Sequence, residues 1–290
     1  MSMKIGVKTR DNPIVEFENS GQGSILEYFE DKVDFYEVIA EQRKGLDFFK
    51  KMKSPSLPYV VHAEHFNYDV NYADKSKYDL NSKSLDFARR VADELNSEKI
   101  IVHTGIFSYP GKVEQGDPNI NIENSFSFFR KVNDSRILAE NLRRFSLEKQ
   151  KNRSHFNYNP ELAGFYDFSC ATPKEVKEFM NETDVGFCFD FSHSVFSSTY
   201  YKKNYLDYIS EFLELKPRHY HFSGQFIKTA EGNPNRIKEV QRDHICLKES
   251  NLDLENILKM TPKNAEITLE TEPDFKKIQS DVMIARKLCS

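Results

Sequence analysis

Six short apolar runs of this chain each end on a residue able to bind a metal ion. YVVHAEH carries His62, KIIVHTG carries His103, and RILAENL carries Glu140. GFCFDFSH brings Asp190 and His193, HYHFSG brings His221, and EITLETEP brings Glu270. Neutral imidazole mixed with carboxylate suits zinc, manganese or iron. One such residue at one strand end is commonly a hydrogen-bonded rim or core group. Six in succession call for a shared cause. Parallel strands closed into a barrel provide it, because their C-terminal ends meet at the rim that holds the active site of such folds.

The segments between these residues fit that frame. Strand-like runs at 4–9, 35–40, 59–64, 99–106, 136–142, 186–193, 219–224 and 266–272 alternate with helix-like runs. The helical patterns fall at 24–32, 45–53, 82–96, 123–132, 172–182, 205–215, 252–260 and 274–289. In 82–96, Leu85, Ala88, Val91, Ala92 and Leu95 recur at helical spacing. Thr172, Pro173 and Glu175 form the signature of a helix start, with a cap, a proline in the first turn and a capping-box glutamate. Eight such units predict a (β/α)8 TIM barrel, with residues 1–290 as one domain. An open doubly wound sheet is the rival, but KIGVKTRDNP after the first strand lacks the GxGxxG turn.

Composition narrows the class. Charged residues make up 30% and hydrophobic ones 39%, as in a globular protein. A net charge of −4 gives no overall attraction to nucleic acid or anionic lipid, although bound metals and a local basic loop can reverse the field. Cys170, Cys188, Cys246 and Cys289 are widely spaced and read as free thiols. MSMKIGVKT has no apolar signal core, and no run is long enough to span a membrane, so cytoplasm is expected.

Three connections are long, and each should lie on the catalytic face: 107–122, 143–171 and 225–250. The second holds Arg143, Arg144, Lys149, Lys151 and Arg153 among Phe145, Phe156 and Tyr158, with His155 between them. The third carries Lys228, Arg236, Lys238 and Arg242. Cations interleaved with aromatics suit a phosphate backbone and its bases, and equally a solvated surface loop. Arg143, Arg144 and Arg242 are the candidate substrate-binding cations.

The order of the strand-end residues resembles that of the endonuclease IV family, within the wider superfamily of xylose isomerase-like barrels, over roughly residues 59 to 273. Endonuclease IV holds three zinc ions and cuts DNA on the 5′ side of abasic sites. The resemblance implies one metal on His62, His103 and Glu140, and a second on Glu140, Asp190, His221 and Glu270. It implies a third on His193 and His244. The family's Asp-x-His is Arg242-Asp243-His244 here, so an arginine stands where a carboxylate ligand is expected. HFSGQ is similar to a segment of the ultraviolet-damage endonucleases.

The number of ions decides the chemistry. Two or three divalent ions, zinc first and manganese or iron after it, would make hydroxide at neutral pH and clamp a phosphodiester, with Glu140 and Glu270 catalytic. A single ion on Glu140, Asp190, His221 and Glu270 suits proton transfer beside the carbonyl of a small sugar. An inactive ligand-binding relative is the third reading, which Arg242 most suggests. Glu64 and His65 are expected beside the site, and His219 a layer below His221. The leading expectation is a metal-dependent phosphodiesterase acting on damaged duplex DNA.

Overall fold

A computed structural model describes residues 2–9, 25–52, 56–108, 118–146, 165–168, 170–271 and 274–289. Eight strands close a parallel barrel: β1 (Lys4–Thr9), β2 (Phe35–Ala40), β3 (Tyr59–Ala63), β4 (Ile100–His103), β6 (Ile137–Glu140), β9 (Gly186–Asp190), β10 (His219–Phe222) and β13 (Glu266–Leu269). They follow one another around the barrel in chain order, and β13 pairs with β1 to close it. The register aligns Lys8 with Glu37, His103 with Glu140, and His221 with Asp190.

Alternation along each strand sorts residues into two cores. Outward positions such as Val7, Val38, Val61, Val102, Ala139, Phe189, Phe222 and Leu269 join one large apolar cluster with the surrounding helices. Inward positions of five strands, Phe35, Val60, Ile101, Leu138 and Cys188, form a separate small cluster that plugs the barrel. Phe35 fills this space so fully that a Cβ on Gly6 would lie 2.3 Å from its ring, which fixes glycine there. Two residues beyond the plug, on the same inward face, come Glu37, His62, His103, Glu140 and Asp190. The plug is therefore the floor of the candidate site.

Around the barrel run α1 (Ile25–Phe29), α2 (Leu46–Met52), α3 (Tyr78–Leu95), α4 (Pro118–Phe129), α5 (Pro173–Thr183), α6 (Phe191–Tyr200), α7 (Tyr205–Leu213), α8 (Leu254–Met260) and α9 (Phe275–Cys289). The five apolar residues expected on the inner face of α3 are all buried. The capping box of α5 forms as its sequence predicts, with Thr172 Oγ1 accepting from the Glu175 amide at 3.1 Å. A cap of this kind contributes about 1 kcal/mol.

Several expected boundaries are corrected. The run 186–193 is not all strand: it ends at Asp190, whose carboxylate caps α6. That helix is absent from the sequence reading because FSHSVFSSTY is rich in serine and β-branched residues of modest helix propensity. The run 99–106 breaks after His103, and Ile106 opens β5 (Ile106–Ser108). Strand β5 pairs antiparallel with β8 (Phe165–Phe168), which pairs with β7 (Phe145–Ser146), so the second long connection carries a small sheet. Its residues Lys149, Lys151, Arg153, His155, Phe156 and Tyr158 lie outside the described residues.

The third connection, expected as a loop, is a β-ribbon of β11 (Gly224–Ala230) and β12 (Asn233–Ile245). Glu231 and Gly232 form its two-residue turn, with Gly232 at a φ of 72°. Register shifts along the ribbon interrupt the simple alternation by which a strand is read. Ile227, Ile237 and Val240 are buried against the main core, and the opposite face is solvated. No helix among the described residues is long and apolar enough to cross a membrane.

A buried carboxylate ties the end of this ribbon to α9. Asp281 Oδ1 accepts from the Leu247 amide at 2.8 Å and from Cys246 Sγ at 2.7 Å. Burial pushes the Asp281 carboxyl up to about 6. A carboxyl whose pKa is raised on folding adds stability below its unfolded pKa and loses it as pH rises through its folded one. Asp281→Asn should therefore remove a destabilisation that develops between about pH 4 and pH 7, worth on the order of 2–3 kcal/mol at full ionisation. Denaturation of both proteins across that range measures it; parallel pH profiles would refute the assignment.

Candidate metal centre

The candidate ligands of the sequence reading converge. Three groups at the barrel mouth each bring ligand atoms within 4.8 Å of one another: His62, His103 and Glu140; Glu140, Asp190, His221 and Glu270; and Asp190, His193 and His244. Glu140 belongs to the first two and Asp190 to the last two, so the groups share edges. The strands position them directly. His62, His103, Glu140, Asp190 and His221 occupy inward positions at or near the C-terminal ends of β3, β4, β6, β9 and β10, and Glu270 follows β13 by one residue.

Glu140 divides its carboxylate between neighbours. Its Oε2 lies 3.2 Å from Nε2 of both His62 and His103. Its Oε1 lies 3.2 Å from His193 Nδ1 and 3.5 Å from His221 Nδ1. One oxygen thus faces each of two imidazole pairs. Asp190 is divided as well: Oδ1 accepts from the His193 amide at 2.7 Å, capping α6, while Oδ2 turns toward His221 and His193.

Hydrogen bonds on the far side of each ring assign which nitrogen meets a metal. His62 donates from Nδ1 to its neighbour Ala63 O at 2.7 Å, leaving Nε2 toward Glu140. His193 donates from Nδ1, the atom beside Glu140 Oε1, to Asn141 O at 2.8 Å, which leaves Nε2 as its ligand atom. His244 donates from Nδ1 to Glu270 O at 3.1 Å. His221 differs, donating from Nε2 to Glu37 at 3.0 Å, so that Nδ1 is its ligand atom. That Nδ1 is buried, has no hydrogen-bond partner among the described residues, and faces Glu140, Asp190 and Glu270 at 3.3–3.9 Å. A lone pair without a hydrogen bond, ringed by carboxylates, is what a cation would satisfy.

The charge balance makes the same demand. Glu37, Glu140, Asp190 and Glu270 are all buried, and Lys8 is the buried cation among them. Each uncompensated buried charge costs several kcal/mol, against a total stability of about 5–15 kcal/mol for a typical domain. Protons partly fill the gap. Burial opposes the charged form of His193, but Asp190 and Glu140 raise its pKa. Burial likewise opposes protonation of His221, and Glu37 and Glu140 overcome it; the neighbouring Cys188 thiol, pushed up to about 12 by burial, is neutral. By contrast, burial drives the His103 pKa down to about 4 despite Glu140, leaving a neutral ring suited to coordination. The donor set fits divalent ions.

The remaining sequence-predicted residues divide. His244 reaches the third group although Arg242 replaces the expected carboxylate, because Asp190 completes the trio. Its φ of 49° is uncommon for a residue with a side chain, as found where function holds a backbone in place. Arg242 is half exposed on the ribbon, opposite Phe226, and pairs with Glu249 at 2.9 Å. Arg143 pairs with Asp243 at 2.5 Å and packs over the Phe196 ring. The guanidinium of Arg144 goes to Glu175 at 3.1 Å and to the Tyr201 hydroxyl. His65 stacks on His103 with ring centroids 4.8 Å apart, and Glu64 holds the Gln42 side chain and amide. His219 lies a layer down, bonded to Thr268 at 2.8 Å.

Three contributors escaped the sequence reading. Asn141 clamps the base of the site, donating to Asp190 O and accepting from the Asp190 amide. Lys8 and Glu37 come from β1 and β2, the two strands not credited with site residues. A signal existed, since each places a charge on the inward face of an apolar strand, where burial requires a partner.

No family model matches this chain, and no curated relative does. Solved structures match nearly all of it. A D-tagatose 3-epimerase-like protein superposes with a TM-score of 0.68 at 18% identity, covering 99% of this chain and 97% of its own. Endonuclease IV from Thermus thermophilus gives 0.60 at 16% identity, covering 98% of each chain. A xylose isomerase domain protein from Planctomyces limnophilus gives 0.62 at 12% identity, covering 99% and 96%. The chain has the fold of the xylose isomerase-like TIM barrels, a fold it shares with endonuclease IV and with sugar epimerases.

Proposed function

We propose that this protein is a metal-dependent phosphodiesterase that hydrolyses the backbone of damaged, abasic-site DNA. The observation that carries this reading is the division of Glu140, with Oε2 toward the Nε2 atoms of His62 and His103 and Oε1 toward Nδ1 of His221. A carboxylate placed this way could be shared by two ligand groups, and Asp190, His193 and His244 would offer room for a third ion. Such ions supply hydroxide near neutral pH and neutralise the charge that develops on a phosphodiester. The chain's residues do the positioning. Glu140 lies between two ligand groups, and Glu270, whose Oε1 is held by Lys8, turns Oε2 inward, where it would hold an ion and fix the place of the attacking water. Arg143, fixed by Asp243 and Phe196, offers a cation to a phosphate.

A second reading has one observation in its favour. Glu140, Asp190, His221 and Glu270 form a complete group by themselves. With a single ion there, Glu140 and Glu270 would move a proton beside the polarised carbonyl of a small sugar. This is the chemistry of an isomerase or epimerase.

The readings predict different outcomes. Elemental analysis of zinc-loaded protein should give two or three ions per chain, falling by at least one in the His62→Ala/His103→Ala double variant. One ion, unchanged in the variant, favours the isomerase. Glu270→Gln should keep the fold and lose at least about 100-fold in kcat, since it removes a charge at nearly constant volume; a rate near wild type in metal-loaded protein refutes its role. Incubation with an abasic-site duplex, and separately with a panel of ketoses, decides the substrate. Chelator-sensitive strand cleavage supports the nuclease, whereas sugar interconversion with intact DNA overturns it. Neutralising Arg143, Arg144, Lys149, Lys151 and Arg153 should weaken duplex binding and flatten its salt dependence by about 0.9 log units for each phosphate left unneutralised. A slope equal to wild type would remove this segment from the DNA interface.

A further inference from the structure

Beneath the metal-facing atoms lies a second buried set that joins the first two strands to the last two. Glu37 Oε2 accepts from His221 Nε2 at 3.0 Å and from Thr268 Oγ1 at 2.8 Å, and lies 3.4 Å from His219 Nε2. Its Oε1 lies 3.2 Å from Lys8 Nζ, and the same ammonium donates to Glu270 Oε1 at 2.7 Å. Glu37, His219, His221 and Thr268 are fully buried, and Lys8 and Glu270 nearly so. A metal among Glu37, His219 and His221 is geometrically possible. It would have to displace the donors that already satisfy Glu37 Oε2, and His221 would then bind ions through both nitrogens. Hydrogen bonding accounts for the cluster without that.

We propose that Glu37 and Lys8 are paired positioning residues that set how His221 and Glu270 present themselves to metal. Glu37 takes the Nε2 proton of His221 and so commits the ring to coordination through Nδ1. An anionic acceptor also makes that nitrogen a stronger ligand. Lys8 occupies Oε1 of Glu270 and so commits this carboxylate to coordination through Oε2 alone. Because Lys8 and Glu37 are aligned in register on neighbouring strands, the two constraints are mechanically one. The pair is charge-neutral, so it adds nothing to the excess negative charge that attracts cations. Its effect is on the geometry and strength of two ligands. The inference rests on the metal reading of the site and holds for either substrate class.

The test uses the full chain, titrated with zinc against a chromophoric chelator. Glu37→Gln and Lys8→Met should each weaken zinc binding by about 10–100-fold, the usual cost of losing a partner behind a ligand. The double variant Lys8→Met/Glu37→Gln removes one charge of each sign, so the net buried charge is unchanged. It should lose little more than either single variant, since the pair acts as a unit. Cobalt substitution gives the second readout. In Lys8→Met, Oε1 of Glu270 loses the ammonium that holds it and can turn to the metal, and the higher coordination number should weaken the visible absorption of bound Co2+, while Lys8→Arg should restore it. Folded variants that match wild type in zinc affinity and cobalt spectrum, and differ only in the melting temperature of the metal-stripped protein, overturn the proposal alone. A wild type that takes up no zinc overturns the metal reading and this proposal with it.

Discussion

Like charges crowded into the mouth of a barrel govern this molecule. Glu140, Asp190 and Glu270 are buried within one another's reach, and buried Glu37 lies below them, joined through Lys8 and His221. Hydrophobic burial elsewhere must carry that cost, because carboxylates that cannot be hydrated repel one another strongly at low dielectric. The arrangement is tolerable only if cations occupy the space. Protons on His193 and His221 are a partial answer, and divalent ions would be a complete one. The fold can thus be seen as a rigid frame that holds mutually repelling groups in place.

The frame works by layering. Outward residues of the strands join the helices in the main core, while inward residues alternate between an apolar floor and a polar layer. Gly6 shows how tight the floor is, since Phe35 takes the volume that a side chain there would need. Above the floor, four ligands are each backed by a fixed partner: Ala63 O behind His62, Asn141 O behind His193, Glu37 behind His221 and Lys8 behind Glu270. Rings and carboxylates held on both sides lose little freedom when an ion arrives, which is the physical meaning of a preorganised site.

The barrel and most of the His, Asp and Glu residues gathered at its mouth were legible because both leave periodic marks. Strands buried on both faces are short apolar runs, and a ligand ending each run is a pattern independent of any local propensity. The helix α6 was not legible, because it is held by burial and by Asp190 rather than by residues that favour helix. The ribbon was missed because bulges break its alternation. Lys8 and Glu37 were overlooked for a different reason. A charge in a strand reads as a solvent-facing residue until the neighbouring strand is known, and their register is a tertiary fact. Arg242 shows the reverse hazard: its alignment against a ligand position suggested a damaged third group, yet Asp190 reaches that group from another strand.

The apolar floor has a kinetic meaning. Phe35, Val60, Ile101, Leu138 and Cys188 close the barrel interior with apolar side chains, so the site above them is a well with an apolar bottom. His62 and His221 sit deepest, fully enclosed, whereas His244 is only partly covered at the ribbon's end. Traffic in such a well is ordered. Whatever enters first would lie at the bottom, and departure would run in the opposite sequence, so any inner ion would be held by whatever lies above it.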